Sequence, residues 1–183
     1  YSLGFQPAGG ENVGRYHRIR VKLKNDRRGV RIRHREGYRN KPIGTRMSDT
    51  AMAALHFGFQ ENDLGVEIDK GSETVHESGQ YLVPLVVKVP IGKLTFLESS
   101  ETQRGRIRLW VAAKDSEGGL AEVQQVPVPI DIPSSEFDRA REQFYHYQLT
   151  LLMREGRQLV SVGVRDEIGA TIGFAVKPVT IGG

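Results

Sequence analysis

The sequence contains no cysteine, and this absence removes several kinds of chemistry at once. Without cysteine there is no disulfide, no thiolate nucleophile and no cysteine-ligated metal. There is also no run of 18 apolar residues, so we expect no membrane-spanning helix. A chain of 183 residues is nevertheless long enough to bury a sufficient core without disulfides. The missing cysteines leave the cellular compartment undecided.

Acidic residues are scarce at the start of the chain. Residues 1–46 hold 13 Lys and Arg against 3 Asp and Glu, whereas the rest of the chain holds 13 against 19. A basic segment joined to a mildly acidic one predicts two parts with different surroundings. We expect a basic hairpin segment at residues 1–43, a short helix and linker at 44–62, and a β domain at 63–183.

The basic segment has the pattern of a β-hairpin that follows a short strand at residues 1–5. Apolar and basic side chains alternate over residues 15–24 and again over 30–35. Alternation with a period of two predicts half-buried strands. Residues 25–29 supply the turn between them.

One face of this hairpin is expected to be basic, and such a face attracts polyanions, nucleic acid among them. Aromatic side chains do not interleave with the basic ones as they do in a single-strand-binding sheet. A solvated strand face is therefore the competing interpretation, and we do not expect nucleic acid as the main partner. The candidate polyanion-binding residues are Arg18, Arg20, Lys22, Lys24, Arg31, Arg33 and Arg35.

From residue 64 onward, short apolar strands alternate with turns, which is typical of an all-β sandwich. We predict an immunoglobulin-like or fibronectin-like β-sandwich. Pro127, Pro129, Pro133 and Pro178 have no backbone N–H, so their strands should lie at sheet edges or bulge there. The predicted strands are residues 64–69, 80–90, 93–98, 105–114, 121–132, 145–153, 158–166 and 171–181.

Two stretches have helical character. Residues 48–57 are rich in Ala, Met and Leu, and Ser48 is the expected N-cap of one short helix. In residues 134–144, Ser135 is followed three positions later by Asp138, which resembles a capping box. We therefore expect one or two helical turns there.

An internal repeat with an offset of 51 residues lies within the predicted sandwich. Asp115 with Gly118 recurs as Asp166 with Gly169, and Pro127 recurs as Pro178. An Asp at the first position of a turn bonds its own backbone, and Gly adopts a positive φ at little cost. The repeat predicts two equivalent hairpins in one sandwich.

Candidate catalytic and metal-binding residues are few. His17 and His34 could face each other across the hairpin, and Asp115 and Asp166 could bind calcium. Surface histidines and turn-stabilising aspartates explain the same residues more simply. The nucleophile elbow, the Ser-x-x-Lys motif and the phosphate-binding loop are all missing from the sequence. We expect no enzyme activity, no metal and no cofactor.

Aromatic residues of the β domain offer one further kind of site. Trp110, Tyr145 and Tyr147 are candidate glycan-binding residues, because exposed aromatic rings can form a platform for sugars. Trp110 lies between Leu109 and Val111 in a predicted strand. A tryptophan that faces the core is commoner in sandwiches, so both orientations stay open.

The first 39 residues carry a recognisable set of short motifs. They are Tyr1-Ser-Leu-Gly-Phe, a glycine-containing loop, the strand Ile19-Arg-Val and the end Arg35-Glu-Gly-Tyr38. In this order they resemble the end of a bacterial von Willebrand factor A-related domain, of a family frequent in acidobacterial genomes. The following β-rich region is similar, more weakly, to the part that follows such domains.

The resemblance implies an exported or surface protein of bacteria, located outside the cytoplasm. Because the chain begins at Tyr1, we expect a processed form or a piece of a longer protein. The family's adhesion metal site uses an Asp-x-Ser-x-Ser loop, which this sequence lacks. No metal ligand is therefore carried over.

The function expected from the sequence is a non-catalytic accessory module with a structural or protein-interaction role. Its partner would be another protein or the upstream domain that the resemblance implies. Polyanion binding by the hairpin and glycan binding by the sandwich are the alternatives.

Overall fold

A computed structural model of the 183-residue chain describes residues 14, 16–22, 32–39, 41–58 and 61–182. The chain divides into two compact units, Tyr1–Arg46 and Met47–Gly183. Antiparallel strands dominate the described residues, so the all-β class is confirmed. The predicted strand at residues 1–5 lies outside the described residues.

The first unit contains the base of the predicted hairpin. Strand β1 (Tyr16–Arg18) pairs antiparallel with β2 (Gly37–Arg39), and His17 lies opposite Tyr38. One further backbone bond joins the Ile19 N–H to the Glu36 carbonyl at 2.8 Å. The first strand is therefore shorter than predicted, and the second strand lies at Gly37–Arg39, so the prediction of a strand at residues 30–35 is wrong over its described part, 32–35.

Charge explains why the pairing stops at Arg18. The observed register, if continued, sets Arg20 opposite Arg35 and Lys22 opposite Arg33. Like charges that lie directly opposite each other destabilise a strand pair. Residues 19–22 and 32–35 accordingly lie outside any strand.

Helix α1 (Ile43–Phe57) begins five residues before the predicted start, so the N-cap assigned to Ser48 is wrong. Its first backbone bond runs from the Arg46 N–H to the carbonyl of Pro42, at 3.0 Å. Proline has a fixed φ and no N–H, which suits it to the start of a helix better than to its interior. The buried residues Met47, Ala51 and Leu55 share one face, because positions four apart lie on the same side of a helix.

The β domain has two antiparallel sheets. In the first sheet the strand order is β8-β7-β10-β11, and β6 pairs with one end of β7. In the second sheet β9 pairs with one edge of β5, and β3 and β4 pair with successive parts of the other edge. The strands are β3 (Glu67–Lys70), β4 (Thr74–Val75), β5 (Tyr81–Pro90), β6 (Leu97–Glu98), β7 (Thr102–Asp115), β8 (Gln124–Pro133), β9 (Phe144–Met153), β10 (Gly156–Asp166) and β11 (Ile172–Ile181).

The predicted helical turns between β8 and β9 are present. A 3₁₀ turn at Ser134–Glu136 leads into the short helix α2 (Phe137–Ala140). No side chain caps either element, so the predicted capping box of Ser135 and Asp138 is wrong. The T-shaped contact between Phe137 and Phe96, at a centroid distance of 5.0 Å, holds this connection against the core.

The 51-residue repeat corresponds to two equivalent hairpins, as predicted. Val111 pairs with Gln124 in the β7–β8 hairpin, and Val162 pairs with Ala175 in the β10–β11 hairpin. Both members of the second pair lie 51 positions after those of the first. The two hairpins are neighbours in the first sheet, where Val111 pairs directly with Val162. A local twofold axis through the Val111–Val162 pair therefore relates the β7–β8 hairpin to the β10–β11 hairpin.

The two repeated turns differ in one respect. Asp115 Oδ1 accepts the Glu117 N–H at 3.1 Å, and Asp166 Oδ1 accepts the Ile168 N–H at 2.8 Å, as an Asp at a turn should. Gly118 has the predicted positive φ of 89°, but in the second turn Ala170 has it, at 61°. Gly169 is needed for space instead, because a Cβ there would lie 2.1 Å from Thr95 Oγ1.

One continuous core joins the two sheets. Alternate residues of β5 and β7, such as Val83, Leu85, Leu109 and Val111, are buried in the same cluster. Each fully buried aliphatic side chain contributes about 1.5–3 kcal/mol relative to exposure. The shared core holds the sheets face to face.

The outer face of the first sheet carries a second, smaller cluster. Trp110, Ala112 and Phe174 pack there against the buried face of α1. Gly163 lies beneath Phe174, and a Cβ at Gly163 would come within 2.4 Å of the Phe174 ring. The missing side chain therefore lets the ring lie close to the sheet, where α1 covers it.

Proline positions explain where pairing ends. Pro127, Pro129, Pro133 and Pro178 lie in β8 and β11, the two outer strands of the first sheet, so the edge prediction is confirmed.

Pro84 lies inside the central strand β5. Its carbonyl accepts the Gly71 N–H at 2.8 Å, but it has no N–H to return. The ladder is interrupted at this point, between β3 and β4.

Candidate functional site

The predicted polyanion-binding residues are only partly visible. Arg18 lies in β1, and four further basic residues flank the paired strands; all five are exposed. Lys24 and Arg31 lie outside the described residues. The described members are Arg18, Arg20, Lys22, Arg33 and Arg35.

The predicted glycan residues lie on different surfaces. Trp110 is 1% exposed and lies under α1 on the outer face of the first sheet. Tyr145 and Tyr147 are half-buried on the inner face of β9, in the second sheet. Burial raises the pKa of the Tyr145 phenol, with a smaller contribution from Tyr147. Trp110 therefore has no exposed ring face for a sugar, and the three residues form no common platform.

The candidate metal residues have structural partners instead. His17 stacks on Tyr38 with a ring-centroid distance of 5.0 Å and lies opposite Tyr38 in the strand pair, so it does not face His34 across the hairpin. His34 Nδ1 lies 2.8 Å from the Arg35 carbonyl. The oxygens of Asp115 and Asp166 accept backbone N–H groups of their own turns. Within the described ranges, no three His, Asp or Glu side chains are grouped to hold a metal ion.

One side of the β domain is closed by charged side chains. Lys177 of β11 donates to the Ile68 carbonyl of β3 at 2.8 Å and also contacts Asp69 at 3.5 Å. Lys88, and then Lys177, hold the pKa of Asp69 below its ordinary value, and Asp69 in turn raises the pKa of Lys88. These contacts join the edges of the two sheets on the β3–β11 side.

A few residues further along the same side, Glu73 makes a second connection. Its carboxylate accepts the Gly182 N–H at 2.8 Å and forms an ion pair with Lys70. Lys70, and then the Gly182 N–H, hold the pKa of Glu73 below its ordinary value. The β3–β11 side is therefore tied at two places.

The opposite side, between β8 and β9, is open. A cleft of about 480 Å³ lies there, and it is lined by the start of β8, the end of β9 and the turn after β7. Its apolar lining includes Val111, Ala113 and Leu151. The charged residues Asp115 and Arg154, 3.7 Å apart, also line it. Both strands that border the cleft are outer strands of their sheets.

The β8 edge is blocked by proline. Residues 127, 129, 131 and 133 share one orientation in the ladder, since backbone groups alternate in direction along an antiparallel strand. Three of these four are proline and the fourth is Asp131. Proline cannot donate, and a charged residue opposes pairing with another strand. This edge is protected against strand addition.

The β9 edge is not blocked. The Pro84 carbonyl points towards β3, because it accepts from Gly71. Since Pro84 lies opposite Thr150, the backbone groups of Thr150 point away from β5. The same holds at every second residue of β9. The residues with outward-directed N–H and C=O groups are Phe144, His146, Gln148, Thr150 and Leu152.

β9 lacks the proline and charged residues that protect the β8 edge. Phe144–Met153 contains neither proline nor Lys, Arg, Asp or Glu. Within the described part of the chain, no strand pairs with its outer edge. An edge strand of this length with unpaired backbone groups is a template for another strand. We take this edge, together with the adjacent cleft, as the candidate functional site.

Residue type alone does not single out the β9 edge. The absence of proline and charge over residues 144–153 was a usable signal. The signal gains meaning only when β9 is known to be an outer strand, which depends on the strand order. Tyr145 and Tyr147, the aromatic candidates on this strand, face the core instead.

Solved structures show a weak likeness to this chain. No protein-family model matches the sequence, and no curated protein matches it. A structural-genomics target, SoR45, is similar with a TM-score of 0.38 and 16% identity, over 62% of this chain and 81% of that one. A β-glucuronidase of Bacteroides uniformis is similar with a TM-score of 0.38 and 10% identity. The match covers 63% of this chain and 13% of the β-glucuronidase.

These likenesses are too weak to carry an argument about function. The resemblance of residues 1–39 to von Willebrand factor A-related domains stays a prediction. Of the helices in the described ranges, none is long and apolar enough to cross a membrane.

Proposed function

We propose that this chain is a non-catalytic protein-interaction module, built on an immunoglobulin-like β-sandwich, that binds an extended segment of another polypeptide along β9. The observation that carries the proposal is the uncharged, proline-free outer edge of β9. In strand addition, main-chain hydrogen bonds supply affinity and side-chain contacts supply specificity.

The immunoglobulin-like assignment is supported by the sheet arrangement. The larger sheet has four main strands. The smaller sheet is three strands wide: β9, β5, and a third row formed by β3 and β4 one after the other. Both contribute to one core, as in sandwiches of this class. The prediction of an exported bacterial protein is supported only by the resemblance of residues 1–39, and the residues encoded upstream in the parent gene test it.

Strand addition at β9 can be tested with a display library of random decapeptides. We expect enriched peptides to slow amide hydrogen exchange at His146, Gln148 and Thr150, whose N–H groups point outward. The Gln148→Pro variant should weaken their binding at least about tenfold, because it removes a central donor. No hydrogen bond to β5 is lost, since the Gln148 N–H points away from that strand.

Gln125→Pro is the matched control. Gln125 is also exposed, lies in the other edge strand and has the same ladder orientation as Pro127. Peptide binding to this variant should equal that of the unmodified protein. Peptides that bind Gln148→Pro with unchanged affinity would contradict strand addition at β9.

Polyanion binding by the first unit is a second candidate. Its support is the exposure of the five described basic residues. We expect retention on heparin that falls steeply with salt, because bound counterions are released. The Arg33→Ala, Arg35→Ala double variant should reduce the slope of log K against log salt by about 1.5, since each lost contact removes about 0.7–0.9. A double change at the exposed Arg104 and Arg157 of the β domain should leave the slope unchanged. Failure of the unmodified protein to bind at low salt would remove this candidate.

A further inference from the structure

We propose that the strand that adds to β9 is the β9 strand of a second copy of this chain, antiparallel and centred on Gln148. This inference rests on the proposed function of the β9 edge and names its partner. It predicts a symmetric dimer in which the two smaller sheets join into one continuous sheet.

The side chains on the exposed face of β9 follow a palindromic pattern. Phe144 and Leu152, at its two ends, are exposed hydrophobic residues, 42% and 48% exposed. The polar residues His146, Gln148 and Thr150 lie between them. When two antiparallel copies are centred on Gln148, Phe144 lies opposite Leu152 of the other copy. His146 then lies opposite Thr150, and Gln148 lies opposite its own equivalent.

The inward-facing side of β9 matches itself in the same register. Tyr145 lies opposite Leu151 of the other copy, and Tyr147 lies opposite Leu149. All four side chains are half-buried and already pack at the border of the core. Pairing would cover their remaining surface. Aromatic and aliphatic cross-strand pairs are among those that stabilise antiparallel sheets.

Neighbouring registers lose this match. A dimer centred on Tyr147 sets Leu152 opposite Glu142 and Phe144 opposite Thr150. A dimer centred on Leu149 sets Phe144 opposite Arg154. Each of these registers places an apolar side chain against a polar or charged one. In the Gln148 register, apolar side chains of Phe144–Leu152 lie opposite apolar ones, and polar side chains lie opposite polar ones. Register in a sheet is determined by such patterns.

The surrounding sheet extends the apolar contact. Leu82 of β5 lies opposite Leu152 within one copy, and Pro90 lies opposite Phe144. In the dimer these residues form a row across both copies, in the order Leu82, Leu152, Phe144 and Pro90. The central pairing forms about ten backbone hydrogen bonds.

The other outer strands are less suited to self-pairing. β8 carries three prolines, and β11 carries Pro178. β3 carries Glu67, Asp69 and Lys70, and the Lys177 contact joins it to β11. Charge and proline are the features that oppose edge-to-edge association. Self-association is therefore directed to β9.

The absence of cysteine makes a direct test possible. In the proposed dimer the two Gln148 positions face each other in a hydrogen-bonded pair, with Cα atoms about 5.5 Å apart, which suits a disulfide. The full-length Gln148→Cys variant should form a disulfide-linked dimer rapidly on mild oxidation. Cysteine at His146 alone should not, because the two His146 positions are about 14 Å apart along the strands. A mixture of His146→Cys and Thr150→Cys chains should cross-link again.

Gln125→Cys is the control for random collision. Cross-linking of Gln148→Cys no faster than that of Gln125→Cys would overturn the proposal. Sedimentation equilibrium supplies the independent measurement. The unmodified chain and Gln125→Pro should form dimers, whereas Gln148→Pro should raise the dimer dissociation constant at least about tenfold.

Different results would contradict self-pairing of β9 and strand addition at β9. If the chain is monomeric at all concentrations but library peptides still protect β9 amides, self-pairing is wrong and strand addition stands. If Gln148→Pro changes neither dimerisation nor peptide binding, both are wrong.

Discussion

Replacing Trp110 with alanine should lower the free energy of unfolding by about 3–5 kcal/mol, the usual cost of removing a buried aromatic ring. Trp110 is 1% exposed and contacts the helix α1 cluster on the outer face of the first sheet. Its removal leaves a cavity between the helix and the sheet. Since domains are stable by only about 5–15 kcal/mol, this single change removes a large share.

Trp110→Phe is the informative control. The Trp110 Nε1–H is buried and has no hydrogen-bond partner among the described residues. An unpaired buried donor costs about 1–3 kcal/mol, so its removal offsets the loss of ring volume. We expect Trp110→Phe to cost less than about 1.5 kcal/mol, the range of conservative core changes. Urea denaturation followed by circular dichroism measures both variants. A Trp110→Ala loss below about 1 kcal/mol would mean that α1 does not pack there.

Replacing Asp166 with alanine should destabilise the domain far more than the same change at Asp115, although both begin equivalent turns. Asp166 is 1% exposed, and its carboxylate accepts the N–H groups of Ile168 and Thr95, each at 2.8 Å. Hydrogen bonds to charged groups contribute about 1.5–3 kcal/mol each, and both bonds are lost when the carboxylate is removed. We expect a loss of about 3 kcal/mol or more.

Asp115 is the matched comparison within the repeat. It accepts the N–H groups of Glu117 and Gly119, which belong to its own turn, and it is partly exposed. Water can replace part of this bonding, so Asp115→Ala should cost about 1 kcal/mol. Urea denaturation of both variants under the same conditions measures the two losses in free energy of unfolding. Equal losses would show that the bond between Asp166 and Thr95 contributes nothing beyond the turn itself.

The difference between these two aspartates illustrates the limit of a repeat. The offset of 51 residues correctly predicted two hairpins, because the turn chemistry of Asp depends on the next few residues alone. It did not predict that Asp166 reaches Thr95, 71 positions away in sequence. Thr95 also leaves no room for a side chain at Gly169, and the positive φ of the second turn lies at Ala170.

The start of α1 and the hairpin register show a second limit. Ser48 was a plausible cap by residue type, but Pro42 lies earlier and starts the helix. In the first unit, alternation predicted strands at residues 15–24 and 30–35, but only Tyr16–Arg18 of the first is a strand, and residues 32–35 of the second lie in no strand. The pairing stops early because it would oppose basic side chains, a cross-strand effect that single-strand alternation does not include.

The candidate site was the least predictable part. Residue type points to seven basic and three aromatic residues, and for residues 145–153 the sequence predicts only a strand. Whether a strand is central or outer depends on which segments pair with it, and pairing partners lie far apart in sequence. The open edge is therefore a property of the strand order.

What the sequence by itself determined is local: the all-β class, eight of the strands, the two Asp turns and the edge position of the proline strands. Each follows from side-chain alternation or from backbone groups within a few residues. Only the tertiary structure decided that α1 buries Trp110, that Pro84 separates β3 from β4, and that β9 is left with a free edge. These features arise from contacts between distant segments, whose geometry no short pattern contains.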